Sequence, residues 1–450
     1  MANFQITKEF IDEFLSWTHD QREDELIPVL DRLHAADIAE LFDELDLEQA
    51  VYVTSLLETD KMVSVLAELE PDVRERYLNG YTTEQVAESF IQHMESDDAV
   101  DALNDLDPEY ASEVLSKIPD KSQSLLLTSL LRYPDDTAGG LMASELIKVN
   151  IDWDISQCIE EIRKQAQEVQ TVYTVYVVDD NDILLGIVSL KKIILAKATR
   201  KISEIFESNV ISAKAYAPGE EIANVMSKYD LVALPIVDSL NRLVGRVTID
   251  DVLDFVKEEA DKDYQLLSGI SENVELKDKV WVLSRARLPW LIIGLFGGVM
   301  SSLVIGGFEE EIARNVSLAF FMPLVMAMGG NAGVQSSSIV VQGLANNTLG
   351  NVRIIPRLGK EFMVAIINAA VCSALVLIYG LVSKVGMDIT VVVSISLIAA
   401  IVFASLMGAL IPLVLDMFKI DPALATGPFI TTSNDLLGLF IYFVIGHAIL

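Results

Sequence analysis

Asp435 sits inside an apolar run from Thr426 to Leu450, in the stretch Thr431-Thr432-Ser433-Asn434-Asp435-Leu436-Leu437-Gly438, and no lysine or arginine in that run can neutralise it. An ionisable side chain at the centre of a membrane helix costs roughly 2.5–3.5 kcal/mol on insertion scales, so it is rare there without a cavity or an ion to face. The chemistry this points to is cation binding. The competing expectation is a structural carboxylate bonded to a Thr or Asn of a neighbouring helix. A second polar patch, Met328-Gly329-Gly330-Asn331-Ala332-Gly333-Val334-Gln335-Ser336-Ser337-Ser338, lies in another apolar run. Its glycines and serines suit close helix packing. Asn331 differs, because a carboxamide flanked by glycines can line an aqueous path as well as bridge helices.

Acids also crowd one stretch outside the apolar runs. Asp250-Asp251-Val252-Leu253-Asp254-Phe255-Val256-Lys257-Glu258-Glu259-Ala260-Asp261-Lys262-Asp263 reads as a helix leading toward the first apolar run, with carboxylates continuing to Asp278. Pairing at i,i+4 with Lys257 and Lys262 accounts for part of it as a solvated face. The alternative is ion sensing, because acids that repel when bare and close up around cations form a two-state element. Enzyme chemistry finds no foothold: there is no P-loop, Gly-x-Ser-x-Gly, Cys-x-x-Cys or His-Glu-x-x-His. His19, His34, His93 and His447 are scattered, and no basic patch suits nucleic acid. The expectation is a protein that is not an enzyme.

The elements that must hold these residues fall into two chemically distinct halves. Up to Leu141 there are 33 Asp and Glu against 9 Lys and Arg; from Pro289 onward there are 8 against 6 in an overwhelmingly apolar sequence. A charge excess that large over so short a length repels itself unless cations condense on it. The runs Pro289–Phe308, Val316–Ala345, Phe362–Ser383, Val391–Leu415 and Thr426–Leu450 are each long enough to cross about 30 Å of hydrocarbon. Arg285 and Arg287 precede the first run, Arg353, Arg357 and Lys360 follow the second, and Glu309, Glu310 and Glu311 lie between them. That asymmetry predicts a cytoplasmic N-terminus and an external C-terminus. Lys384 and Lys419 fit the alternation less well. Pro323, Pro412 and Pro428 are expected to interrupt helical hydrogen bonding where the freed carbonyls face protein or water. Two distant cysteines, Cys158 and Cys372, and a charged start without a signal-peptide core place the polar half in a reducing cytosol.

Two alignable segments lie between the halves. Met142–Leu195 and Ile202–Val256 each predict an amphipathic helix, a strand such as Thr174-Val175-Tyr176-Val177-Val178 or Ala233-Leu234-Pro235-Ile236-Val237, a turn at Asp179–Asp182 or Asp238–Asn241, a second strand and a closing helix. The pattern resembles a tandem pair of cystathionine-β-synthase-type (CBS) repeats, a fold whose relatives often bind adenine nucleotides in the cleft between repeats. Fold resemblance does not prove a ligand. Val247-Thr248-Ile249-Asp250-Asp251 matches the family ending better than Val188-Ser189-Leu190-Lys191-Lys192. Before the pair, Asp24 to Pro134 reads as short amphipathic helices, with acidic N-caps expected around His34–Phe42, Asp60–Leu66 and Asp97–Leu103. Their spacing suggests a helical repeat array.

The order of acidic helical repeats, Thr137-Ala138-Gly139-Gly140-Leu141-Met142, tandem CBS repeats, charged connecting helix and five spans resembles the MgtE family of bacterial magnesium channels over nearly the whole chain. The resemblance implies an all-α N-terminal domain over 1–136, an α/β CBS module over 137–257, a connecting (plug) helix over 258–285 and a five-helix transmembrane pore domain over 286–450. It implies a homodimer in the bacterial plasma membrane with the pore on the two-fold axis, Asp435 holding hydrated Mg²⁺, Asn331 along the path, and Gly329, Gly330, Gly333, Thr431 and Thr432 as the pore motif. It further implies regulatory Mg²⁺ bridging acids of the three cytosolic parts, here Glu220, Asp230, Asp251, Asp254, Glu259, Asp263, Asp97 and Asp98, with ATP the candidate second ligand of the CBS module. Gly427, in Ala425-Thr426-Gly427-Pro428, stands where relatives can carry asparagine, and Lys262 where they can carry an acid. Mg²⁺ gives up water reluctantly, so a channel does better to hold the hydrated ion by a few carboxylates than to strip it. Weak outer-shell binding then lets it leave. Another CBS-regulated transporter, of Mn²⁺, Co²⁺ or chloride, and a membrane-anchored sensor without conduction remain the rival classes; the uncompensated Asp435 disfavours an anion.

Overall fold

The computed structural model describes residues 6–167, 169, 171–271, 274, 279–345, 354–383, 386–422 and 427–450. Asp278, Arg353, Lys384, Ala425 and Thr426 therefore lie outside the described residues. The chain divides into two compact units, Met1–Val256 and Lys257–Leu450.

The first unit begins with ten short helices: α1 Lys8–His19, α2 Glu23–Leu30, α3 Ala35–Phe42, α4 Leu47–Ser55, α5 Thr59–Ala67, α6 Pro71–Leu78, α7 Thr83–Gln85, α8 Ser96–Asn104, α9 Pro108–Lys117 and α10 Lys121–Leu130. None exceeds twelve residues, so each is held by its buried face rather than by its own propensity. Ile38, Leu41 and Phe42 of α3 and Ala99, Val100 and Leu103 of α8 supply such faces at helical spacing. The expected acidic N-caps are placed differently. The caps of α3, α5 and α8 are His34, Glu58 and Glu95, and the acids Asp37, Asp60, Asp97 and Asp98 fall in the first turns. There they still meet the unpaired amides and positive dipole end, as when Asp37 accepts from the His34 N–H at 3.1 Å. Between α7 and α8 the chain widens into a π-helical stretch, Val86–Phe90, then tightens through Ile91–His93.

Two three-stranded sheets follow, β1 Ile147–Asn150, β2 Val175–Val178 and β3 Leu184–Val188 in one, β4 Ala213–Lys214, β5 Ala233–Val237 and β6 Leu243–Thr248 in the other. Each pairs its first strand parallel to the second and the second antiparallel to the third, with an irregularity at the same place, Val177/Val178 and Ile236/Val237. The helices α11 Ile155–Gln165 and α13 Gly219–Tyr229 make the crossovers that parallel pairing requires. Both hairpins turn through a residue in the left-handed region, Asp182 at φ 62° and Asn241 at φ 64°. Short side chains that bond locally tolerate that conformation best. The hairpin tips meet, Leu184 N–H donating to Asn241 O at 3.0 Å and Leu243 N–H to Asp182 O at 2.8 Å. The closing helices are α12 Leu190–Leu195 and α14 Ile249–Leu267.

The cores do not follow the repeat pattern. The first CBS repeat has its own, around Ile147, Ile155, Cys158, Val177 and Ile202. The second repeat shares one continuous core with the helical array, in which Ile222, Leu234, Ile236 and Val247 join Ala138, Met142 and the array's Val86, Ala99 and Leu103.

The α14 helix is unbroken from the end of the second repeat to Leu267, where Gly269 at φ 79° turns the chain. Among the described residues of 258–285 are the last half of α14, a glycine turn and the first residues of α15, rather than one helix. Five helices are long and apolar enough to cross a membrane: α15 Val280–Gly307, α17 Ser317–Ala345, α18 Ile354–Ser383, α19 Met387–Met417 and α20 Pro428–Ile449, with the short α16 Glu309–Arg314 after the first. The α19 helix is central, burying 61% of its most apolar stretch against 6% for α15, and packs on α17, α18 and α20. Pro323 and Pro412 lie inside α17 and α19 as expected. Pro428 instead begins α20, where its missing N–H interrupts nothing. Tyr442 of α20, buried in the core with Val325 and Val392, donates its hydroxyl to Leu318 O at 2.9 Å.

Candidate cation site

Asp435 lies two turns into α20, beside α17. A Cβ added at Gly330 would stand 3.0 Å from Asp435 Oδ1 and 3.4 Å from Thr431 Cγ2, tight enough that glycine is what lets the carboxylate lie against α17. One turn away the fit is closer still. A Cβ at Gly333 would overlap Asn434 Nδ2, and one at Gly408 of α19 would overlap the Gly333 carbonyl. Three helices thus meet with almost no side chain between them, in the manner of small-residue contacts in membranes. Asn434 is 3% exposed and its Nδ2 has no partner among the described residues.

Asp435 accepts no hydrogen bond and joins no ion pair among the described residues, so the expectation of a structural carboxylate bonded to a neighbouring Thr or Asn is not met. It lines a cavity of about 330 Å³ together with Thr432, Met326 of α17 and the face of α15 from Gly294 to Ile305. A six-water shell needs about 180 Å³ at about 30 Å³ per water, so the cavity admits a hydrated divalent ion. Thr431 hydrogen-bonds back to Gly427 O at 3.3 Å, while Thr432 packs its methyl on Gly297 of α15. Gly329 makes no close contact, the nearest atom to its Cβ position being Asn434 O at 3.7 Å. Asn331 is exposed on α17 and outside this cavity's lining. Of the residues expected from the sequence, Asp435, Gly330 and Thr432 are brought together here, while Asn434 and the α15 face were not among them. The latter had a signal: Gly294, Gly297, Gly298, Ser301 and Ser302 recur at one-turn spacing.

Near the start of α20, α14 ends against it. A Cβ at Gly427 would be 2.7 Å from Leu267 O, and one at Gly269 would be 2.7 Å from Pro428 Cγ. Glycine at both positions is what allows the two backbones to touch.

The expected regulatory acids separate into groups. Asp97 and Asp98 of α8 and Asp251 of α14 are brought together in the first unit, each half-buried. Burial first, then mutual repulsion and Glu95, raise the Asp97 carboxyl well above its ordinary range; burial and neighbouring acids raise Asp98 to about 7. Asp251 is raised by burial even though it accepts from Thr248 N–H at 3.0 Å. Two cations offset this excess: Arg74 donates to Asp105 at 2.6 Å, and Arg246 lies 3.7 Å from Glu95. Ser96 and Ser144 tie α8 to the CBS module through Glu145, Ser96 Oγ donating to it at 2.8 Å. Glu220 and Asp254 are exposed on α13 and α14, and Asp230 is the exposed left-handed cap of α13. Glu259 is paired with Lys262 at 2.8 Å, so that lysine neutralises one of the expected sensors. Among the described residues no three His, Cys, Asp or Glu side chains are arranged to hold a metal. These acids are a charge cluster rather than a preformed ligand set.

Comparison with known proteins agrees with this layout. The MgtE divalent cation transporter model matches residues 322–445, the MgtE intracellular N domain 33–136, and the CBS domain 138–198 and 202–258. The magnesium transporter MgtE of Bacillus subtilis is 33% identical over 93% of both chains, and that of Thermus thermophilus 32% over 94% of both. A crystal structure of the cytosolic domain of the Mg²⁺ channel MgtE in complex with ATP superposes with TM-score 0.50 at 33% identity, covering 54% of this chain and 99% of that one. Another, of the soluble part of a magnesium transporter, gives 0.51 at 27% identity, covering 56% of this chain and 99% of that one. With nearly its whole length matched, this chain belongs to the MgtE family of magnesium transporters.

Proposed function

We propose that this protein conducts hydrated Mg²⁺ across the bacterial plasma membrane through a path in which Asp435 holds the ion by its water shell. The carrying observation is a carboxylate that has no partner among the described residues and lines a cavity that fits a hexahydrate. In this reading the chain works as a homodimer with the N-terminus in the cytoplasm and the C-terminus outside. A two-fold axis pairs Asp435 with its copy and brings the exposed Asn331 onto the path, while Gly329, Gly330, Gly333, Thr431 and Thr432 shape the helix contacts. The domains are 1–136, 137–257, 258–285 and 286–450, with residues 258–285 the moving connection.

Cytosolic Mg²⁺ closes the channel by neutralising acids of the N-terminal, CBS and connecting segments: Asp97, Asp98 and Asp251 together, and Glu220, Asp230, Asp254, Glu259 and Asp263 against the partner subunit. Support comes from the raised carboxyls, whose mutual repulsion a divalent cation relieves. The CBS module binds an adenine nucleotide, as the ATP complex of the related cytosolic domain suggests. The rival reading, transport of Mn²⁺ or Co²⁺, differs in how much of the water shell is kept.

The test is Mg²⁺ uptake by magnesium-starved cells carrying Asp435→Asn or Asp435→Ala at matched membrane levels. Both should lose nearly all flux, the amide because it keeps the size without the charge. Ordinary uptake by either variant rules the site out, and Mn²⁺ or Co²⁺ outcompeting Mg²⁺ favours the rival.

A further inference from the structure

We infer that the first membrane span is part of the cation site, with Ser301 and Ser302 of α15 accepting hydrogen bonds from the water shell of the ion held at Asp435. This rests on the reading of Asp435 as the conducting site. The first observation is the state of the hydroxyls. Hydroxyls in apolar helices usually bond the carbonyl one turn back, as Thr390 does with Gly386 O at 2.8 Å and Thr431 with Gly427 O at 3.3 Å. Ser301 is only 7% exposed, lines the cavity, and has no hydrogen-bond partner among the described residues. The Ser337, Ser394 and Ser396 hydroxyls also lack partners among the described residues, but of these four only Ser301 opens on the cavity, where a ligand or water can reach it.

The second observation separates packing glycines from space-making ones. Gly297 is filled, since a Cβ there would overlap the Thr432 methyl, whereas a Cβ at Gly294 or Gly298 would meet no atom within 4 Å. The α15 face is thus spaced away from its neighbours on either side of one contact, and the space is the cavity that Asp435 lines. The third is chemical. Waters bound to a cation direct their hydrogens outward, so a wall that holds the hydrated ion must offer acceptors. Of the lining residues, Asp435, Thr432, Ser301 and Ser302 are those whose side chains carry oxygen. Neutral hydroxyls hold the shell without displacing it, which favours an ion that keeps its water.

The experiment uses full-length protein in liposomes and measures Mg²⁺ flux against Mg²⁺ concentration, with block by hexaamminecobalt(III), an octahedral cation whose ligands do not exchange. The Ser301→Ala, Ser302→Ala double variant should raise the half-saturating Mg²⁺ and the blocking concentration by about three- to tenfold, the effect of losing one or two ordinary hydrogen bonds. Ser301→Thr and Ser302→Thr, which keep the hydroxyl, should recover most of it. Unchanged half-saturation and block in the double variant overturn the inference. Asp435→Asn run alongside separates the failures: if it is inactive while the serine variant is normal, only the α15 wall is wrong; if it conducts normally, the underlying site is wrong as well. Should the double variant not reach the membrane, Ser302→Cys reports instead. A cationic, water-soluble thiol reagent should modify it, more slowly in Mg²⁺, above the background of Cys158 and Cys372. Modification at a rate indifferent to Mg²⁺, or none, likewise overturns the proposal.

Discussion

Arg74 is a buried cation among the acids of the first unit. It is 6% exposed, donates through Nε to Asp105 and through Nη1 to Ala67 O at 3.1 Å, and its charge offsets part of the burial that raises the carboxyls of Asp98 and Asp105. Removing one partner of a buried pair leaves the other uncompensated, at about 3–5 kcal/mol. Arg74→Met should cost the first unit that much in urea unfolding, and adding Asp105→Asn should restore a substantial part; a loss under about 1 kcal/mol would mean water already serves those acids. Legibility at this scale depended on contrast. A charge in an apolar run announces itself, so Asp435 stood out. Its neighbour Asn434 did not, because its burial is decided by Gly333 and Gly408, which arrive from two other helices. Arg74 was one of two bases in a helix with two acids until folding placed it against Asp105.

At the scale of elements, the acidic turn of α8 against the start of α14 makes stability depend on pH in an unusual direction. Asp97, Asp98 and Asp251 have raised carboxyls, so without metal the folded unit binds more protons than the unfolded chain between about pH 4 and about pH 7. Stability from these groups therefore rises as pH falls through about 7, the reverse of ordinary carboxylates held in ion pairs. In chelator, Asp98→Asn should raise the melting temperature most above pH 7, with the gain fading toward pH 4; a gain independent of pH would assign it to packing. Helix existence here was readable from hydrophobic spacing, and so were both hairpin turns. The cap positions were not, since acids in the first turn and acids at the cap give the same local pattern. The run of α14 past Val256 was readable, because no glycine or proline interrupts it there, but its end at Leu267 was not, since the acidic pattern continues beyond the turn at Gly269.

For the whole molecule, the boundary between the helical array and the second CBS repeat is chemical in the sequence but absent from the core. Deleting residues 1–136 removes no membrane span, so Mg²⁺ flux should persist while closure at high Mg²⁺ weakens. The same deletion uncovers Ile222, Leu234 and Val247. Loss of control should therefore come with a CBS module that proteases cut more readily, whereas Asp97→Asn with Asp98→Asn should weaken control without that sensitivity. Uptake at low and high Mg²⁺, beside limited proteolysis, distinguishes the two; abolished flux at normal membrane levels would make the array a structural requirement. Periodicity identified which faces are buried, and only assembly could say that array and repeat bury them against each other.

The backbone contact between Leu267 and Gly427 carries a consequence for inheritance. The absence of a side chain at position 427 is what leaves room for the Leu267 carbonyl. A chain with asparagine at that position would need another course for 267–269, so the two features would have to change together. Residue 427 and the segment 267–269 are then expected to behave as a single heritable character, and a chimera that takes one from this chain and the other from an asparagine-bearing one should fold less stably than either parent.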